Sequence, residues 1–246
     1  RGYRKSKNVF INDEFKFIWR KRKEFFLLRK LASVRQNDLA SMKYIYFPLI
    51  TEPEIAMHGV AQDFFFHLSA INMLARDLPA DYTLVVKEHL LSIGRRPADF
   101  YNQITELKNV KIADPLDLGV PYINNATAVA SITGSSGWEA LAIGKPLISF
   151  SKNNAYNFID HAFLVQKPDD TIPILKHICS KSWPNSKSIQ DGAKLYQSAL
   201  KDSFNLYDKG SFFKWENIDY GNDRKIYKCA KKLYDQLEIK IKRKKK

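Results

Sequence analysis

Between Lys43 and Phe150 the chain alternates short apolar runs with longer stretches in which apolar residues recur every three or four positions. The runs "KYIYFPL", "YTLVVK", "NVKIAD", "TAVASIT" and "KPLISF" read as short strands buried on both faces. The stretches between them, "QDFFFHLSAINMLARDLP", "PADFYNQITEL", "DLGVPYINNA" and "SGWEALAIG", read as helices, the first of them ended by Pro79. Strands separated by helices at this rhythm predict right-handed crossover units and a parallel sheet. The fold class expected is therefore α/β: a Rossmann-like parallel sheet with helices on both faces, plus flanking helices.

The pattern loosens on either side. "FINDEFKFIWRKRKEFFLLRKLASV" (residues 10–34) mixes apolar and basic residues at helical spacing, with Asn12 or Asp13 as the cap, and suits a connecting helix or one lying on a membrane surface. Beyond Phe150, "HAFLVQ" reads as one more strand and "DTIPILKHICSK" as a helix, followed from Ser186 by helices around the aromatic-rich loop "LYDKGSFFKWENIDYG". This divides the chain into a basic helical segment or linker (1–43), a Rossmann-like domain (44–180) and a helical extension with a basic tail (181–246).

Charge follows the same division. Residues 1–43 carry 13 Lys and Arg against 4 Asp and Glu, residues 44–180 carry 10 against 14, and residues 181–246 carry 17 against 8. The overall charge of +14 thus sits in the ends. A mildly acidic body argues against a nucleic-acid groove. Basic flanks fit contact with an anionic surface such as the inner membrane leaflet, or simple solvation of Lys-rich tails. No apolar run is long enough to span a bilayer and residues 1–10 contain no signal-peptide core, so a cytoplasmic location is expected, extending to the inner face of the cytoplasmic membrane. Cys179 and Cys229 lack metal-ligand spacing, so neither a disulfide framework nor a metal centre is expected.

In open parallel sheets ligands bind beyond the carboxyl ends of the strands. After the fourth run comes "TGSSGWEA": Gly134 and Gly137 permit close backbone approach, Ser135 and Ser136 offer hydroxyls, and the next helix begins there. Two readings stand side by side, a phosphate-binding turn and an ordinary capping box between Ser136 and Glu139. The turn has neither the Walker ending nor the dinucleotide GxGxxG. Glu139, one turn into the helix, is suited to a ribose diol or to complementing the helix dipole. Lys87, Glu88 and His89 end the second run at the same sheet edge, where Lys87 suits donor binding and His89 suits phosphate contact or proton transfer. Glu52 and Glu54 follow the first run, as acids that orient a sugar or serve as base, or as plain loop carboxylates. His58, His67, His161 and His177 carry no expectation.

"YFPLITEPEIAM", "LVVKEH", "SIGRRPADFY" and "NNATAVASITGSSGWEALAIGKPLISF" together resemble the capsular polysaccharide biosynthesis family of bacterial glycosyltransferases, which includes Kdo transferases of capsule assembly. The resemblance covers roughly Tyr44 to Phe150, and more loosely extends to Lys181. It implies the C-terminal, donor-binding half of a GT-B fold. It implies that the family's strand-end His-Pro motif falls on His89, a leaving-group role, although Leu90 stands where the family has proline. The Ser/Thr-rich turn falls on Ser135 and Ser136, the helix glutamate on Glu139, and a Gly-Lys-Pro on Gly144, Lys145 and Pro146. The implied donor is a nucleotide sugar, CMP-activated for preference and UDP-activated otherwise, with a glycan or glycolipid acceptor, no tightly bound cofactor and no metal. The alternatives are a CDP-glycerol-type polyol-phosphate transferase and a non-catalytic nucleotide- or glycan-binding module.

Overall fold

The computed structural model describes residues 7–52, 59, 61–64, 66–97 and 99–202. The chain divides into two compact units, residues 1–195 and 196–246, and the sheet with its covering helices belongs to the first. Helix α1 (Lys7–Leu31) leads into strand β1 (Ala32–Val34). Then β2 (Tyr44–Pro48), α2 (His67–Asp77), β3 (Thr83–Lys87), α3 (Phe100–Thr105), β4 (Val110–Ala113), α4 (Gly119–Asn125) and β5 (Ala128–Ser131) alternate. They are succeeded by α5 (Ser136–Ala142), β6 (Leu147–Ser149), β7 (Ala162–Leu164), α6 (Thr171–Cys179) and α7 (Ser186–Asp202).

The seven strands form one sheet in the order β1-β4-β3-β2-β5-β6-β7, every pairing parallel. Because side chains alternate across a strand, β2 serves two cores. Ile45 and Phe47 pack with Ile71 and Leu74 of α2, Ile104 of α3, Ile178 of α6 and Leu28 of α1. Tyr44 and Tyr46 pack with Tyr122 of α4 and with Ala140 and Leu141 of α5. Helices therefore cover both faces, and strands buried twice over must be apolar along their length, which is the expected α/β arrangement.

One strand was not anticipated. "ASV" after α1 is β1, which joins the sheet beside β4, with Ala32 opposite Ile112. Residues of the basic N-terminal segment thus complete the sheet rather than merely linking to it. The anticipated loop "LYDKGSFFKWENIDYG" lies outside the described residues. Among the described residues, no helix is long and apolar enough to cross a membrane.

The chain builds outward from β2 through β3 to β4, then crosses back and builds outward the other way from β5. The loops leaving β2 and β5 therefore diverge, and a crevice opens between them at the carboxyl edge. At the far end of α5, Gly144 has φ +77°, and its missing Cβ lets the backbone of Ser188 and Ile189 in α7 approach.

Candidate functional site

A cavity of about 260 Å³ lies in that crevice. Its walls come from the ends of β2 (Tyr46, Pro48) and β3 (Lys87, Glu88, His89), from the loop into α4 (Asp117, Leu118) and from the turn into α5 (Ser135, Ser136, Glu139). The sheet thus brings together Lys87, His89, Ser135, Ser136 and Glu139 from two separate strand ends. A larger cavity of about 640 Å³ opens where β3 begins, beside Tyr82 and Thr83. That is the amino edge, and its Arg76 is already forked onto Asp77 at 2.6 and 2.7 Å. The smaller cavity has the unspent charge and the position at which such sheets bind ligands.

Lys87 supplies that charge. It is buried, and its Nζ donates a single long hydrogen bond, 3.4 Å, to the Pro115 carbonyl. Among the described residues it makes no ion pair. Burial pulls its pKa below the ordinary lysine value, and Asp117, Glu88 and Asp114 offset only part of this. A buried ammonium with spare donors favours an anionic occupant.

The turn into α5 is shaped by its own side chains: the Ser131 hydroxyl accepts the Gly134 N–H at 3.1 Å. The capping box between Ser136 and Glu139 does not form. Ser135 is the cap residue without a capping bond; its Oγ instead donates to Glu139 Oε1 at 3.2 Å. Ser136 Oγ is buried without a hydrogen-bond partner, as are Thr133 Oγ1 and, in the loop after β6, Asn157 Oδ1. Buried polar atoms are normally paired, so the Thr133 and Ser136 oxygens of this turn keep bonding capacity that a ligand or water can complete. Gly137 has a different use from the one anticipated. Its N–H bonds the Gly134 carbonyl, and a Cβ there would collide with the Tyr156 hydroxyl at 2.7 Å, so its smallness serves packing.

His89 is exposed and caps the short 3-10 turn Leu90–Ser92, its Nδ1 accepting the Leu91 N–H at 3.3 Å. That bond makes Nδ1 the acceptor, so Nε2 carries the proton in the neutral ring and is a donor.

Glu52 is not open to a ligand. Its carboxylate accepts Arg96 Nη1 at 2.6 Å and His67 Nδ1 at 2.9 Å. Burial pushes its pKa up, but His67 and Arg96 outweigh that and leave it below the usual carboxylate value. Arg96 also forks onto Glu88, Nε at 2.7 Å and Nη2 at 2.9 Å, and Nη2 donates to the Ile50 carbonyl at 2.6 Å. The Tyr101 hydroxyl adds a bond to Glu88 at 2.9 Å. This buried network ties the loop after β2 to the loop after β3, beneath the cavity. Gly94, in the second of these loops, is gripped by α1: Glu24 accepts its N–H at 2.7 Å and Arg20 donates to its carbonyl at 2.5 Å. Glu54 lies outside the described residues.

Sequence reasoning did not find Asp117 or the orphaned Thr133 and Asn157. Asp117 accepts bonds from Gln36 N–H at 2.9 Å and Tyr122 Oη at 2.7 Å, a holding role that no local pattern announces. Lys145, in the Gly-Lys-Pro, is buried with its Nζ on the Ala126 carbonyl at 2.7 Å, away from the cavity wall.

No protein-family model matches the chain, and no curated protein matches it. Among solved structures it is similar to Thermosulfurimonas dismutans KpsC, a beta Kdo 2,7 transferase, with 17% identity over 72% of this chain and 53% of that one and a TM-score of 0.43. It is similar to Methanocaldococcus jannaschii UDP-GlcNAc 2-epimerase in complex with UDP-GlcNAc and UDP, with 12% identity, coverage of 76% and 53%, and a TM-score of 0.46. It is also similar to the glycotransferase of kitacinnamycin, with 12% identity, coverage of 65% and 39%, and a TM-score of 0.40. The chain spans about half, or less, of the length of these solved chains.

Proposed function

We propose that the crevice between β2 and β5 holds the nucleotide sugar of a GT-B-type glycosyltransferase of bacterial capsule or surface polysaccharide synthesis. The observation that carries this reading is that a buried Lys87, in no ion pair among the described residues, and the orphaned Ser136 hydroxyl line one cavity at the sheet's switch point. The donor's phosphate lies against Lys87, Ser135 and Ser136, with its ribose toward Glu139. The sequence motifs support a CMP-activated sugar of the Kdo type before a UDP-sugar.

In transfer, the bond between the anomeric carbon and the phosphate oxygen breaks, and its electron pair leaves with the nucleotide. An acceptor hydroxyl oxygen on a glycan or glycolipid forms the new bond and gives up its proton. The crevice residues act on the leaving side. Lys87 and the His89 Nε2–H meet the negative charge growing on the phosphate, a preorganised electrostatic stabilisation that strengthens as the bond breaks. The cavity wall also fixes the donor, removing much of the entropic cost of alignment.

The basic N-terminal helix fits work at an anionic membrane face. Phe15, Ile18, Trp19 and Phe26 of α1 are exposed, Trp19 at 71%, and Lys16, Arg22 and Lys23 lie among them.

The test is product analysis. The full-length protein is incubated with CMP-, UDP- and CDP-activated donors and a glycolipid acceptor. Free CMP with a new glycosidic linkage supports the reading; a phosphodiester product, or no turnover of any donor, contradicts it.

A further inference from the structure

A second cavity of about 210 Å³ lies at the opposite edge of the sheet, where β7 begins, between the end of α6 and the start of α7. Like the crevice, it is below the usual range for drug-sized ligands, so it encloses about one ring of a larger molecule. His161, immediately before β7, is 2% exposed and lines it. His161 Nε2 lies 3.1 Å from the Leu141 carbonyl, which can only accept, so Nε2 holds the proton. Nδ1 is left as a lone pair with no hydrogen-bond partner. Burial lowers the pKa of His161 and keeps the ring neutral. Trp183 lines the same cavity, and its Nε1–H is likewise buried and unpartnered.

These two atoms make opposite demands. One needs a donor and the other an acceptor, and a hydroxyl group provides both. Two further rings share the wall with Asn185 and Ser188: Phe163 lies 5.4 Å from His177 and 6.3 Å from Trp183. Flat apolar faces of this kind take the C–H face of a sugar ring. The rim carries two lysines, Lys181 and Lys187, against two acids, Asp160 and Asp191, so it has no net charge to select an anion.

From these groups we infer that the His161–Trp183 cavity binds a neutral pyranose ring, hydroxyls toward His161 Nδ1 and Trp183 Nε1 and one face on the aromatic wall. The site lies across the sheet from the crevice and holds a sugar of a longer glycan while another part is worked on. Only that anchoring role rests on the transferase reading; the binding itself does not.

Proton–nitrogen correlation spectra of the full chain test this directly, since each tryptophan gives one indole signal and Trp183→Phe assigns the relevant one. Methyl glycosides of hexoses and N-acetylhexosamines are titrated in. The expected result is a saturable shift of the Trp183 signal while those of Trp19, Trp138 and Trp215 stay in place. His161→Phe should weaken the affinity by about tenfold, the loss of one hydrogen bond. His177→Ala, at an exposed wall position that does not threaten folding, should also weaken it. A Trp183 signal that no glycoside moves, or one that moves with unchanged affinity in both the His177→Ala and His161→Phe proteins, overturns the inference. Nucleotide titration reads the other cavity, so a failure there leaves this result standing.

Discussion

Arg96 and Glu88 form a two-pronged pair, Nε to Oε2 at 2.7 Å and Nη2 to Oε1 at 2.9 Å, with both side chains about 1% exposed. Glu88 also accepts the N–H of His89 at 2.7 Å, so the pair sets the backbone from which His89 reaches the cavity. Removing one partner strands a buried charge, which typically costs about 3–5 kcal/mol. Arg96→Met should therefore lower the unfolding free energy by about that amount. The paired change Arg96→Met with Glu88→Gln should lower it less than the sum of the single changes. Urea denaturation of the four proteins measures both, and strict additivity would show that the two residues are not coupled.

Glu52 makes the fold acid-sensitive. Its folded pKa is below the ordinary 4.5, so its contribution is complete above that value and is lost as pH falls through the lower folded value. Glu52→Gln should reduce stability at neutral pH and flatten the acid limb of the stability curve. Thermal melts from about pH 7 to about pH 3 read this, and an unchanged acid limb would contradict it.

Lys87 predicts a proton linkage to binding. Its pKa is depressed in the empty cavity, and a phosphate placed beside it draws the pKa back up. Between the depressed value and the ordinary 10.5, nucleotide binding should take up protons, and affinity should fall as pH rises. Calorimetry in buffers of different ionisation heat counts the protons. Lys87→Met should abolish the uptake and cost at least about tenfold in affinity, as expected of a charge-assisted bond.

For α1, exposed aromatic residues among basic ones predict binding to anionic vesicles that weakens with salt. Trp19→Ala, and separately the charge removals Arg22→Gln and Lys23→Gln, should each reduce co-sedimentation. Equal binding to neutral and anionic vesicles at low salt would remove the electrostatic part of this reading.

The central strands were legible because burial on both faces demands apolar runs, and β2 to β6 all stand where those runs lie. β1 was not, since three residues following a helix carry no run of their own and owe their extended form to β4. The turn after β5 was legible as a ligand site or a cap; that the Ser136–Glu139 capping box does not form shows only in the folded structure, where Ser136 Oγ has no partner. Glu52 looked like any loop acid after a strand. What occupies it is Arg96, 44 positions away, and such long-range pairing leaves no local trace. The same holds for Gly94, at φ +90°, whose two hydrogen bonds to α1 join segments 70 and 74 residues apart.

The most direct test of the crevice as a nucleotide-phosphate site is calorimetric titration of the full-length protein with CMP, CDP, UDP, GDP and ADP, repeated with Ser136→Ala and Lys87→Met. The predicted result is saturable, CMP-selective binding that both substitutions weaken. The melting temperature should stay within a few degrees, since Ser136 Oγ gives up no bond and Lys87 only a long one. Binding that neither substitution alters, or no binding of any nucleotide to the folded full-length protein, would contradict it.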